Sequence, residues 1–368
     1  MPLPQSIFID TCILDAEQYD FNSSQIQALA TAAAGRNLKL LLPHPTKQEI
    51  TRHIKERAQA AVSSLKSARK EHPFLRKCPA LPQSRVEREK LERDMRNAVL
   101  ADWKGFQGNF VLQELDYTGV DLDEVMAWYD QGRPPFGLGE KSKEFPDAFA
   151  FIALRDYAKA SNQTVAVVSS DNDFKAACAH TPALHHFPSL AALISALLAE
   201  NTRFAAATQM AAGIVAPLTA RIIADFADRA FDHSEDPNGH GYVDDVVVTD
   251  VVIDLESIEI IGLGHQEFTI VFPAAVSFTA HVEYDDPNSW VSGDPGDDVM
   301  YLHRCKGVVS DEAAVACVVR ISTDENWTSA GEITSFIIED QFIEVNTEAP
   351  QSDEPGDYDY EPATDTPP

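Results

Sequence analysis

The sequence is poor in the features that hold small domains together from outside. Its five cysteines, Cys12, Cys78, Cys178, Cys305 and Cys317, are odd in number, scattered and without a Cys-x-x-Cys pair. That spacing argues against a disulfide framework and a structural zinc site, and the thiols read as reduced, mostly core filler. No run of about 18 or more uncharged apolar residues occurs, so no membrane-spanning helix is expected. The opening Met-Pro-Leu-Pro-Gln lacks the basic and apolar regions of a signal peptide, and a cytoplasmic protein is the expectation. Eleven histidines show no metal-ligand spacing on a helix, and the adjacent His185 and His186 would face opposite sides of a strand.

Bases are scarce in one half only. The 368 residues carry a formal net charge of −29, which by itself speaks against a polyanionic partner. Residues 1–200 hold 23 Lys+Arg against 25 Asp+Glu, whereas residues 201–368 hold 6 against 33, so net charges of −2 and −27 divide the chain. Between Arg52 and Lys104 the count reverses to 14 basic against 7 acidic, and any nucleic-acid footprint belongs there. The length and this asymmetry favour two domains.

Short apolar runs at Ser6–Ile9, Lys39–Leu42 and Thr164–Val168 read as buried strands, with helical patterns at Ser24–Gly35, Thr46–Glu71 and Ser189–Asn201 between and after them. Strands alternating with helices imply parallel pairing and a three-layer α/β/α sandwich, whose ligands sit beyond the carboxyl ends of the strands. Arg85–Phe106 reads as an amphipathic helix with an ionic outer face, and Arg133–Phe145 as a loop. After a further helical stretch at Leu218–Phe231 the pattern changes to β-branched runs at Val246–Leu255, Ile258–Ile261, Phe268–Phe272, Val276–Tyr284, Val299–His303, Ala314–Ile321 and Ile333–Ile338. Turn clusters at 285–288 and 293–296 separate several of them, so a mainly antiparallel α+β domain is expected over 205–347. Residues 348–368 hold seven acids, no base and several prolines, the composition of a disordered acidic tail.

Four strand or helix junctions of the first half each offer an acid. Asp10 directly follows the apolar Ile7-Phe-Ile9, Glu49 begins a helix after the second strand, Asp147 follows a proline at another helix start, and Asp171 and Asp173 follow a further strand. Taken singly, Glu49 could close a capping box with Thr46, Asp147 could complement a helix dipole, and Asp171 could be an N-cap. Asp10 is different, because a carboxylate at the end of a buried strand is costly unless paired or metal-bound. If one sheet edge gathers these acids, Mg²⁺ or Mn²⁺ is the natural occupant, and such ions activate water and neutralise the departing oxygen in phosphodiester hydrolysis.

Taken jointly, Phe8-Ile-Asp-Thr-Cys-Ile-Leu14, the acid Glu49 early in the second long helix, Glu144-Phe-Pro-Asp-Ala148 and Ser169-Ser-Asp-Asn-Asp-Phe174 resemble the successive acidic motifs of PIN domains. The chain is most similar to the bacterial subgroup with a long helical insertion, here about 52–131, and the likeness covers residues 6 to about 195 of an expected domain 1–204. The resemblance implies five parallel strands and a single-strand-directed nuclease, most often an endoribonuclease, with a toxin-like or defence role. It implies Asp10, Glu49, Asp147 and Asp171 as ligands of Mg²⁺ or Mn²⁺, Asp173 as an auxiliary acid, and Thr11 and Ser169 as site hydroxyls. Arg52 and Lys55 in the basic stretch, with Lys141 and Lys143 in the loop, are candidate contacts to single-stranded RNA or DNA.

Other readings fit less well. The loop Gly137-Leu-Gly139-Glu-Lys-Ser142 has neither the Walker spacing nor a preceding strand. A haloacid-dehalogenase-like phosphatase would need a second Asp two residues after Asp10, where Cys12 stands. The acidic C-terminal half suggests a regulatory alternative, in which it engages a basic partner or masks the nuclease surface within the chain. A homodimer is a further candidate partnership.

Overall fold

A computed structural model describes residues 4–34, 36–136, 145–233, 242–285, 290–291, 300–301, 304–339 and 342–345. The chain divides into two compact units, Met1–Ala205 with Glu259–His265, and Ala206–Ile258 with Gln266–Pro368.

The first unit is built on five strands: β1 (Ser6–Ile9), β2 (Lys39–Pro43), β3 (Val111–Leu115), β4 (Val165–Val168) and β5 (Leu184–Phe187). All neighbours pair in parallel, in the order β3-β2-β1-β4-β5. This is the expected parallel sheet with flanking helices. β1 and β4 are wholly buried, which explains their uninterrupted apolar sequences, since a strand covered on both faces has no polar side to present. The helices are α1 (Thr11–Ala16), α2 (Ser24–Ala33), α3 (His44–Glu71), α4 (Arg85–Gln107), α5 (Leu122–Asp130), α6 (Phe145–Ser161), α7 (Asn172–Ala179) and α8 (Leu190–Leu198). Phe8, Leu41, Phe151, Val167 and Phe174 lie in one core cluster with helical residues of α5 and α6.

Two expectations are corrected here. The insertion is not wholly helical, because Val111–Leu115 forms the edge strand β3, mostly exposed and therefore half polar in sequence. No capping box forms at Thr46 either: α3 begins two residues earlier, is preceded by Pro43 without a side-chain cap, and so carries Glu49 in its second turn. The capping box of this unit is at Ser84 and Glu87, opening α4.

Beyond α8 come α9 (Phe204–Gly213), α10 (Val215–Phe226), β6 (Ala230–His233), β7 (Tyr242–Ile253), β8 (Glu259–Leu263), β9 (Glu267–Asp285), β10 (Trp290–Val291), β11 (Met300–Tyr301), β12 (Arg304–Thr323), β13 (Ala330–Ile338) and β14 (Phe342–Val345). The helical reading of Leu218–Phe231 is thus shortened, its end being a strand that pairs with β14 in parallel. β8 is part of the first unit, packed on α8 and α2 with Ile260 and Ile261 buried.

The second unit's main sheet is antiparallel, in the order β13-β12-β9-β7. Phe268–Phe272 and Val276–Tyr284 are not two strands but one, 19 residues long. Its inward set, Phe268, Ile270, Phe272, Ala274, Val276, Phe278, Ala280 and Val282, continues with period two straight through an exposed Pro273. The unbroken ladder to β12 outweighs the one missing donor. The apolar face of α10 is buried through Leu218, Ile222 and Phe226, the last edge-on to Phe231 and tilted against Phe278. Among the described residues no single helix is long and apolar enough to cross a membrane, and α9 with α10 reach that length only as a pair bent by 64°. The clusters at 286–288 and 293–296, most of Val299–His303, and the tail 348–368 lie outside the described residues.

Candidate active site

β1 and β4 run parallel with Ile9 opposite Val168, so both chains leave the sheet at the same edge. Asp10 is the first residue beyond β1, and its amide still reaches the Val168 carbonyl at 2.9 Å. It caps α1, with Oδ1 accepting from the Thr11 amide at 2.7 Å. Its Oδ2 accepts from the Ser169 hydroxyl at 2.6 Å and from the Cys12 thiol at 3.1 Å. The residue is 7% exposed.

Ser169 is fully buried and joins two acids, donating to Asp10 while its oxygen accepts the Asp171 amide at 3.1 Å. β5 fixes it from the other side: the Ser169 amide donates to the Phe187 carbonyl at 3.0 Å, and His186 Nε2 lies 2.7 Å from the Ser169 carbonyl. Asp171 caps α7, accepting from the Asp173 amide at 2.8 Å. The N-cap expected of Asp171 is therefore real, and it holds that carboxylate at the edge beside β1.

On the other flank, Thr11 donates to Glu49 Oε2 at 3.2 Å. Glu49 Oε1 meets Arg52 at 2.9 Å and lies 3.8 Å from His53 Nε2. α1 and α3 are also tied by Asp15, which receives His53 Nδ1 at 2.9 Å and Arg57 at 3.1 Å. A continuous series of short polar contacts thus runs from Glu49 through Thr11, Asp10 and Ser169 to Asp171. Asp147 stands half-buried in the first turn of α6, which packs on α3. The residue before it, Pro146, lines a cleft of about 800 Å³ together with Glu49 and Arg52. Lys55 is exposed one turn beyond Arg52, whereas Lys141 and Lys143 lie outside the described residues.

The donor chemistry of this edge fits a hard divalent cation. Among the described ion pairs none includes Asp10 or Asp171, and a buried carboxylate without a cationic neighbour is costly. Carboxylate and hydroxyl oxygens are the donors that Mg²⁺ and Mn²⁺ prefer. The edge acids do not by themselves close into a tight triad. Among the described residues the grouping of three ligand atoms within 4.8 Å of one another is Asp244, Asp245 and His281, exposed in the second unit. Glu49 is drawn instead toward Arg52, as like charges with a cation nearby would require.

Cys12 is a participant that its residue type concealed. Burial, with the neighbouring Asp10 carboxylate adding to it, raises its thiol above the ordinary range, so the sulfur keeps its proton and donates it to Asp10. Ser170 in turn donates to Cys12 at 3.3 Å. Position was the available signal, because Cys12 stands two residues after the one acid that ends a buried strand. His186 was likewise hidden, its role depending on the pairing of β4 with β5.

Residues 7–174 match the family model of the PIN domain. This region is a PIN domain. PIN domains are generally nucleases, hydrolases of nucleic acid that typically use divalent metals. Comparison with curated proteins and with solved structures gave no match to the chain. The basic stretch of the PIN domain contributes a second cleft of about 440 Å³, where Lys66, Arg69, Lys70, Arg76 and Arg88 come together. Arg76 already serves the fold there, donating to the Arg69 and Lys70 carbonyls at the end of α3 at 3.0 and 3.2 Å.

Proposed function

We propose that the PIN domain is a divalent-metal-dependent endoribonuclease that hydrolyses phosphodiester bonds of single-stranded RNA. The observation that carries this reading is Asp10, a buried carboxylate at the carboxyl edge of the sheet, joined through Ser169 to Asp171 and through Thr11 to Glu49. Asp10, Glu49, Asp147 and Asp171 would hold Mg²⁺ or Mn²⁺. When bound, such an ion supplies an acidified water and neutralises charge on the phosphoryl oxygens.

The chain's own groups prepare the site. Ser169 and Thr11 fix the rotamers of the carboxylates, the work that outer hydrogen bonds do for metal ligands. Asp173 adds an acid in the first turn of α7. Arg52 and Lys55 offer positive charge to the phosphates of the incoming strand, and the near-neutral first half admits a polyanion that the second half would repel.

Purified full-length protein with Mn²⁺ is expected to cut single-stranded RNA, with single-stranded DNA as the parallel substrate. Asp10→Asn and Asp147→Asn should each lower the rate by at least about 100-fold, since even outer-shell partners cost 10–100-fold, with thermal melting retained. Full activity in both variants would end the proposal.

A further inference from the structure

We infer that the cleft beside Glu49 is a nucleobase pocket, in which an unstacked base of the substrate strand rests against Tyr117 and Phe149. This rests on the nuclease reading for the class of its occupant. The cleft, about 800 Å³, is lined by Tyr117, Phe145, Phe149 and Val120 together with Glu49 and Arg52. Its size falls in the usual range of small-ligand sites, and its lining is that of a site for a flat, mostly apolar group.

Tyr117 is 49% exposed, unusual for a large aromatic ring that is held in place. The His44 ring lies 5.0 Å from it and the Phe149 ring 5.6 Å, nearly perpendicular at 80°. The ring is therefore positioned without being covered. A fixed and half-open aromatic surface is what base stacking uses, and stacking tolerates any base.

Topology says why the occupant is the substrate. Asp10 follows β1, Glu49 follows β2 and Tyr117 follows β3, and these strands are parallel neighbours in the sheet. The pocket and the acid edge therefore open on the same rim, two strand spacings or about 10 Å apart. Glu49 belongs to both. A strand whose phosphate lies at Asp10 has a base within reach of Tyr117, with Arg52 in the lining of the same cleft for the strand's charge. A duplex cannot use the pocket, because its bases are already stacked on one another. The pocket thus supplies a physical basis for preference for single strands.

The test uses the full chain without divalent ions and a single-stranded RNA carrying 2-aminopurine at one position at a time. At one position binding should quench the fluorescence. Tyr117→Ala should abolish that quenching and weaken binding roughly 10-fold, while Tyr117→Phe should restore both. An abasic residue at the same position should weaken binding to the unaltered protein by a similar factor, which keeps the test independent of any folding defect. With Mn²⁺ added, Tyr117→Ala should raise KM more than it lowers kcat. Cleavage by wild type with no dependence on Tyr117, on Phe149 or on any single base would overturn the pocket and leave the nuclease standing. Quenching that requires Tyr117, in a protein that cuts nothing, would keep the pocket and remove the nuclease. Absence of both cutting and quenching would remove both.

Discussion

The two units use the same residue type in opposite ways. In the PIN domain the acids that matter are few and sit at junctions: Asp10 is 7% exposed and its oxygens are engaged by a hydroxyl, a thiol and an amide. In the second unit acids are abundant, and several serve the backbone nearest to them, while Glu283 pairs with Lys306 across the sheet at 2.9 Å. Asp250, Asp254 and Asp311 each accept from an amide one or two residues on, at 2.9, 2.9 and 2.8 Å. Asp324 gathers the amides of Thr328 and Ser329, both at 2.7 Å, and closes the turn between β12 and β13. Residues 201–368, with 33 acids, thus spend several of them on their own turns, whereas residues 1–200, with 25, bury Asp10 at a sheet edge. Density of charge does not by itself single out a carboxylate; burial at the edge of a sheet does.

Three changes would break or sharpen that contrast. The largest effect is expected from Ser169→Ala, which deletes the hydroxyl between Asp10 and Asp171 and should lower the cleavage rate about 10–100-fold, the usual cost of losing an outer-shell partner. Unchanged kinetics in Mn²⁺ would show that the buried network is only structural. Next comes Ile261→Ala in β8, which should destabilise the first unit by about 2–5 kcal/mol, the range for a buried isoleucine truncated to alanine, as read from denaturant melts. A loss confined to the second unit would detach β8 from the PIN domain.

The smallest effect concerns Asp324. The amides of Ser329, Thr328 and Asn326 and the Thr328 hydroxyl hold its carboxyl down at about 2, against an ordinary 3.8. A depressed value means stability that is present above the unfolded value and lost as pH falls from about 3.8 through about 2. The wild-type melting temperature should therefore drop more steeply than that of Asp324→Asn over this window, by calorimetry at stepped pH. Parallel slopes would show that the turn draws nothing from the charge.

Much of the PIN domain was legible before any coordinates. β1, β2 and β4 announced themselves as apolar runs because both their faces are covered, and Asp10 stood out because an acid at the end of such a run has no cheap explanation. β3 and β5 did not, since Val-Leu-Gln-Glu-Leu lies mostly exposed at an edge and Leu-His-His-Phe is half polar. Glu49, read by itself, could close a capping box, and the start of α3 at His44 excludes that. The pocket at Tyr117 was invisible, because it exists only once β3 is placed beside β2. In the second unit the turn signals were readable, but Phe268–Phe272 and Val276–Tyr284 read as two strands, which an unbroken inward face joins through Pro273.

One consequence follows from the placement of β8. The first unit is not contiguous in the chain's order: its five-stranded parallel sheet and its acids are complete by residue 205, yet it also includes the segment 259–265. On a ribosome elongating at about 5–20 residues per second, those sixty residues take roughly 3–12 s to synthesise. Until then Ile260 and Ile261 cannot cover α2 and α8, and the nascent unit waits with its sheet assembled and those two helices still bare.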